Sequence, residues 1–164
     1  MKNKYLPRIV DKKLKLTLQA MGAVLIEGPK WCGKTSTAEH IAKSVLYMQD
    51  PDTFDENMLK AKTKPSLLLE GETPRLLDEW QVAPVIWNAV RFAVDKRQEA
   101  GQFILTGSVV PVRTDDMHSG TGRISRMKMR TMSLYESGES SGEISLTDIF
   151  ERKTGMSGKS KTTL

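Results

Sequence analysis

The chain has 164 residues, enough for one domain with its own core and too few for two ordinary ones. Hydrophobic residues make up 38%, and no apolar run approaches the roughly 20 residues a membrane span needs, which argues against a membrane partner. The net charge of +5 sits at the two ends, +5 in residues 1–16 and +3 in 151–164, over a body at −3, so a single basic face is not indicated.

Val10, Leu14, Leu18 and Met21 fall at helical spacing with Asp11 as a cap, so a leading helix is expected. Leu14, Leu16 and Leu18 also alternate with Lys15 and Thr17, which leaves a strand open. Gly22 breaks the pattern. Ala23-Val24-Leu25-Ile26 is a short apolar run bounded by glycines, as a strand buried on both faces requires. A helix then opens at Lys34, with Ala38, Ile41, Ala42 and Val45 on its inner face. Val45-Leu46-Tyr47-Met48 could extend it, but the stop at Asp50-Pro51-Asp52 favours a second strand. Residues 53–62 read as a short helix, and Leu76-Leu77 as a third strand running into Asp78-Glu79. Pro84 opens a helix with the stripe Ile86, Ala89, Val90, Ala93 and Val94, and Phe103-Ile104-Leu105-Thr106 is a fourth strand. Strands alternating with helices imply a parallel, doubly wound α/β sheet.

Beyond Ser108 a Gly/Ser/Thr loop covers His118 to Gly122, and Ile124 to Met132 alternates as a strand. Ser133-Leu134-Tyr135-Glu136 fits a capping box, and Ser145-Leu146-Thr147-Asp148 resembles another helix start. The predicted domain is 1–150, followed by a polar, basic and disordered tail over 151–164.

Gly28-Pro29-Lys30-Trp31-Cys32-Gly33-Lys34-Thr35 has the spacing Gly-x4-Gly-Lys-Thr between a buried strand and an amphipathic helix. Glycines at both ends let the loop curl, so that backbone N–H groups and the helix N-terminus converge on phosphates. Residues 28–36, ending at Ser36, are thus the expected nucleotide cradle, with Lys34 on the β/γ oxygens and Thr35 on Mg²⁺. Cys32 is the lone cysteine, so no intrachain disulfide can form; it reads as a loop filler more readily than as a redox thiol. With no apolar stretch after Met1-Lys2-Asn3-Lys4-Tyr5 to make a secretory signal, the expected location is the cytoplasm.

Asp78 is the candidate partner of Mg²⁺ and Glu79 the candidate base for the attacking water, against the plainer reading of two acids ending a strand. Ser108, with Thr106 as second choice, could orient the water or sense the γ-phosphate. Arg123 or Arg126 could be an arginine finger, in cis or from a neighbouring subunit, or simply solvated. Arg126, Lys128 and Arg130 share one face of the late strand, with Met127 and Met129 on the other. Charges protecting an edge strand explain that face better than nucleic acid does. His40 and His118 are isolated, with no second ligand at metal spacing.

Taken with Arg75-Leu76-Leu77-Asp78-Glu79-Trp80-Gln81, Phe103 to Ser108 and Gly122 to Gly138, the phosphate loop resembles that of prokaryotic AAA-type ATP-binding proteins, over nearly all of residues 5–150. The resemblance implies a three-layer α/β/α P-loop fold with a mainly parallel sheet, Walker A at Gly28 to Thr35, Walker B at Asp78-Glu79 and a sensor-like strand end at Thr106 to Ser108. It implies ATP and Mg²⁺ as ligands. Such proteins usually have proline where this chain has Thr131, and continue into a nuclease-like C-terminal domain. Three functions are therefore expected in order: an ATPase, a truncated module that binds ATP without efficient turnover, and an ATPase stimulated by nucleic acid. A homo-oligomer or a further C-terminal domain is the expected protein partner.

Overall fold

A computed structural model describes residues 5–107 and 120–151. Two compact units are distinguished, Val10–Thr131 and the described residues of Met1–Ile9 with Met132–Leu164. The first holds a five-stranded sheet, and its elements follow from the apolar patterning.

Helix α1 (Ile9–Ala20) buries Leu14 and Leu18, whereas Leu16 is 56% exposed, so the helical period wins over the alternating one. Asp11 lies inside its first turn rather than at the cap, because the helix already begins at Ile9. Strand β1 (Ala23–Glu27) is followed by α2 (Lys34–Glu39), β2 (Ser44–Tyr47), α3 (Phe54–Thr63), β3 (Arg75–Asp78), α4 (Val85–Arg97), β4 (Phe103–Gly107) and β5 (Ile124–Lys128). The expected long α2 is thus only six residues. Its chain leaves the helix after Glu39 to reach the sheet edge, where Val45 joins β2; Ile41, Ala42 and Val45 still pack on the core from outside the helix. The late strand likewise ends at Lys128 rather than Met132, although the Met129 N–H extends the ladder to the Glu27 carbonyl at 2.7 Å.

The strand order is β2-β3-β4-β1-β5 and every pairing is parallel. Because side chains alternate across a strand, each one feeds two cores. Ala23, Leu25, Leu77, Phe103, Leu105 and Ile124 face the layer of α3, α4 and a 3₁₀ turn at Pro65–Leu69. Val24, Ile26, Leu76, Ile104 and Met127 face the opposite layer, with α1 and α2. Helices on both faces of a parallel sheet make the doubly wound α/β sheet that the alternation of elements implied, in the three layers that the resemblance implied. Arg75 ties the 3₁₀ turn to the sheet, its guanidinium donating to the Leu68 carbonyl at 3.0 Å and the Ser44 hydroxyl at 3.1 Å.

The second unit contains α5 (Leu134–Ser137), opened by the capping box expected at Ser133, and α6 (Leu146–Phe150), whose expected start at Ser145 is also a capping box. Here Glu136 accepts from the Ile9 N–H at 2.8 Å and the Arg8 guanidinium at 3.0 Å. No helix among the described residues is long and apolar enough to cross a membrane.

Candidate nucleotide site

All five strands end at one edge of the sheet because all five are parallel. The strand that leads into the loop, β1, lies beside β4, and β4 beside β3. Neighbouring strands stand about 4.8 Å apart, so three consecutive strand ends converge there. They deliver Gly28, Asp78 and Thr106.

The loop is tightly drawn. A Cβ on Gly28 would lie 2.3 Å from the Met129 carbonyl oxygen and 3.0 Å from the Cys32 sulfur, so only glycine fits. Gly33 takes φ 93°, a left-handed turn that delivers the chain into α2, and no side chain caps the first turn of that helix. Its first N–H groups have no intrahelical partner. Lys34 is 5% exposed, and its ammonium donates to the Gly28 carbonyl at 3.1 Å and the Pro29 carbonyl at 3.0 Å. No carboxylate among the described residues pairs with it. A buried cation satisfied only by neutral carbonyls is a place for an anion.

Thr35 and Thr106 both donate their hydroxyls to one oxygen of Asp78, at 2.7 Å and 2.6 Å. With its proton committed to Asp78, the Thr35 oxygen keeps its lone pairs for another partner. A hydroxyl oxygen beside a carboxylate is a donor set that suits a hard divalent cation such as Mg²⁺. Glu79 follows in a left-handed conformation at φ 53° and ψ 46°, its N–H donating to the Thr106 hydroxyl at 3.4 Å. Such strain in a non-glycine residue concentrates where geometry serves function. Lys30, Trp31, Gly33, Lys34, Thr35, Ser36 and Glu79 line one cleft of about 380 Å³. At the end of β2, in register with Asp78, the Tyr47 hydroxyl donates to Glu39; that bond, burial and the negative charges of Glu39 and Asp78 push the phenol up to about 12.

A family profile described as AAA domain matches residues 21–138, well over half of the chain. The chain belongs to the AAA domain family. Nucleotide binding on a P-loop fold comes with that membership. No curated protein matches the chain.

Within this AAA domain, Lys34, Thr35, Asp78 and Glu79 come together as the sequence implied, and Thr106 joins them through Asp78. Ser108 and His118 lie outside the described residues. Arg123 is not brought to the cleft. It precedes β5, whose first residue pairs with the first residue of β1, so it stands at the opposite sheet edge, about 16 Å of strand away. Its guanidinium pairs with Asp95 of α4 at 2.7 Å. A role in a neighbouring subunit would first have to break that pair. Arg126 faces α4, paired with Glu27 at 2.9 Å and stacked 5.2 Å from the Trp87 ring. β5 is an edge strand on which Arg126 and Lys128 are exposed, and Arg130 is exposed just beyond its end. Cys32 is buried with its thiol 3.9 Å from the Met129 carbonyl, as a loop filler would be.

One site residue escaped the sequence reading. Gln81, in a 3₁₀ turn at Trp80–Val82, donates its amide to the Glu79 carboxylate, while its own carbonyl oxygen is buried with no hydrogen-bond partner among the described residues. Gly107 leaves the room, since a Cβ there would fall 2.6 Å from that oxygen. The only sequence signal was a lone amide in the otherwise apolar Trp80-Gln81-Val82.

Proposed function

We propose that this AAA domain binds ATP with Mg²⁺ and hydrolyses it. The observation that carries the reading is Lys34, a buried ammonium without a carboxylate partner among the described residues, in one cleft with Thr35 and Glu79. Gly28 to Thr35 acts as the Walker A loop, Lys34 holding the β- and γ-phosphate oxygens while the loop and the start of α2 supply N–H donors. Thr35 and Asp78 would hold Mg²⁺, which supplies positive charge against the phosphate oxygens. Glu79, in the Walker B position, orients a water and takes its proton as the water oxygen bonds to the γ-phosphorus and the bond to the bridging oxygen breaks. Thr106 keeps Asp78 in place, as a sensor-like strand end would.

ATP binding and turnover measured side by side test this. Lys34→Ala should weaken binding by about 30-fold or more, the worth of a charge-assisted hydrogen bond. Glu79→Gln should retain binding and lose about 10²–10⁴-fold in turnover, and removal of Mg²⁺ should abolish it. Unchanged turnover in Glu79→Gln would remove hydrolysis from the reading, and a wild type that binds no ATP would remove all of it.

The bond from Gln81 to Glu79 favours a second reading, binding with slow turnover, because an amide on the carboxylate competes with the water. Gln81→Ala should then raise turnover; a fall would mean that Gln81 aims the carboxylate instead.

A further inference from the structure

Trp31 is the least economical residue of the loop. Its ring is 91% exposed, where the other two tryptophans, Trp80 and Trp87, are 2% and 0% exposed. It also holds φ 68°, a left-handed backbone that a bulky side chain adopts at a cost and glycine adopts freely. An indole this exposed buries little surface to offset that backbone cost, and strain of this kind points to function. Trp31 lines the cleft with Lys34, Thr35 and Ser36, and no other aromatic ring among the described residues does. The Lys30 ammonium stands 5.7 Å from the ring centroid, and no second ring packs on it among the described residues.

We infer that Trp31 is a stacking platform for the nucleobase, resting on the ATP-binding reading above. With the triphosphate on Lys34 and Thr35, the ribose and base extend towards the cleft mouth, where a broad π surface is offered. Stacking is sequence-tolerant because every base has a face. Among the described residues, the only carboxylate or carboxamide side chain lining the cleft is that of Glu79, which shares its strand end with Asp78, so the base edge meets no such reader among them. Trp31 therefore recognises the base by its face, and adenine and guanine alike.

The test compares ATP, GTP and inorganic tripolyphosphate, each with Mg²⁺, on wild type, Trp31→Ala and Trp31→Phe. Trp31→Ala should weaken ATP and GTP by the same factor, about tenfold, and leave tripolyphosphate unchanged; Trp31→Phe should keep most of the affinity. ATP should also shield the exposed tryptophan of the wild type from iodide quenching, and tripolyphosphate should not. Wild-type affinity for ATP in Trp31→Ala would overturn the platform and leave the phosphate site standing. Equal loss for tripolyphosphate would make Trp31 a prop of the loop, and shielding that grows with protein concentration alone would make it a contact between copies. If the wild type binds neither ATP nor tripolyphosphate, the phosphate reading falls and the platform with it.

Discussion

At the residue scale the site turns on one oxygen atom. Asp78 Oδ1 accepts two hydroxyls, from Thr35 on α2 and Thr106 on β4, so three elements are locked through a single acceptor. Thr106→Val keeps the shape and removes the donor. Turnover should fall about tenfold with ATP affinity held within about twofold, a loss of about 1 kcal/mol at the transition state or more. Equal losses in both would mean that Thr106 supports binding rather than the aim of Asp78. The pair Asp78-Glu79 was legible because an apolar strand ended in two acids; Thr106 was only the second choice at its own strand end. A hydroxyl one residue inside a strand looks like any buried threonine until the neighbouring strand is known.

At the scale of elements, the Gly28–Thr35 loop is held from β5. Gly28→Ala would drive a Cβ into the Met129 carbonyl, a backbone atom that cannot step aside. Overpacking of this order costs about 1–3 kcal/mol and should appear as a lower unfolding midpoint together with weakened ATP binding. In the second unit, α5 is pinned through Glu136. Burial raises this carboxyl, but N–H groups of Ser133 and Ile9, the Arg8 guanidinium and the Ser133 hydroxyl outweigh it and lower it from 4.5 to about 2. A depressed carboxyl stabilises the folded state above its unfolded value and loses that contribution as pH falls through its folded one. The difference in thermal midpoint between wild type and Glu136→Gln should therefore be full at neutral pH and shrink between about pH 4.5 and 2. A difference that is flat with pH would assign the effect to shape instead of charge. The capping box at Ser133 and the helix start at Ser145 could be read directly because a cap is a local pattern of four residues, whereas the length of α2 could not. Its apolar period continues through Ile41, Ala42 and Val45, but the chain must leave the helix to enter β2.

For the whole molecule, the strand order decides which residues can meet. A ligand that binds only the folded state stabilises it by mass action, about 2.7 kcal/mol at one hundred times its dissociation constant. Saturating ATP with Mg²⁺ should therefore raise the melting temperature of the wild type and raise that of Lys34→Ala much less. An equal rise in both would locate binding elsewhere. The sequence by itself determined the α/β class, the phosphate loop, the buried strands and the acidic strand end, because these rest on local periodicity and on spacing along the chain. Only the tertiary structure decided that β4 lies between β1 and β3, which brings Thr106 to Asp78, and that Arg123 belongs to the far edge of the sheet. It likewise decided that Gln81 reaches Glu79. Parallel pairing is a matter of hydrogen-bond register between segments distant in sequence, and no local pattern encodes which strand becomes whose neighbour.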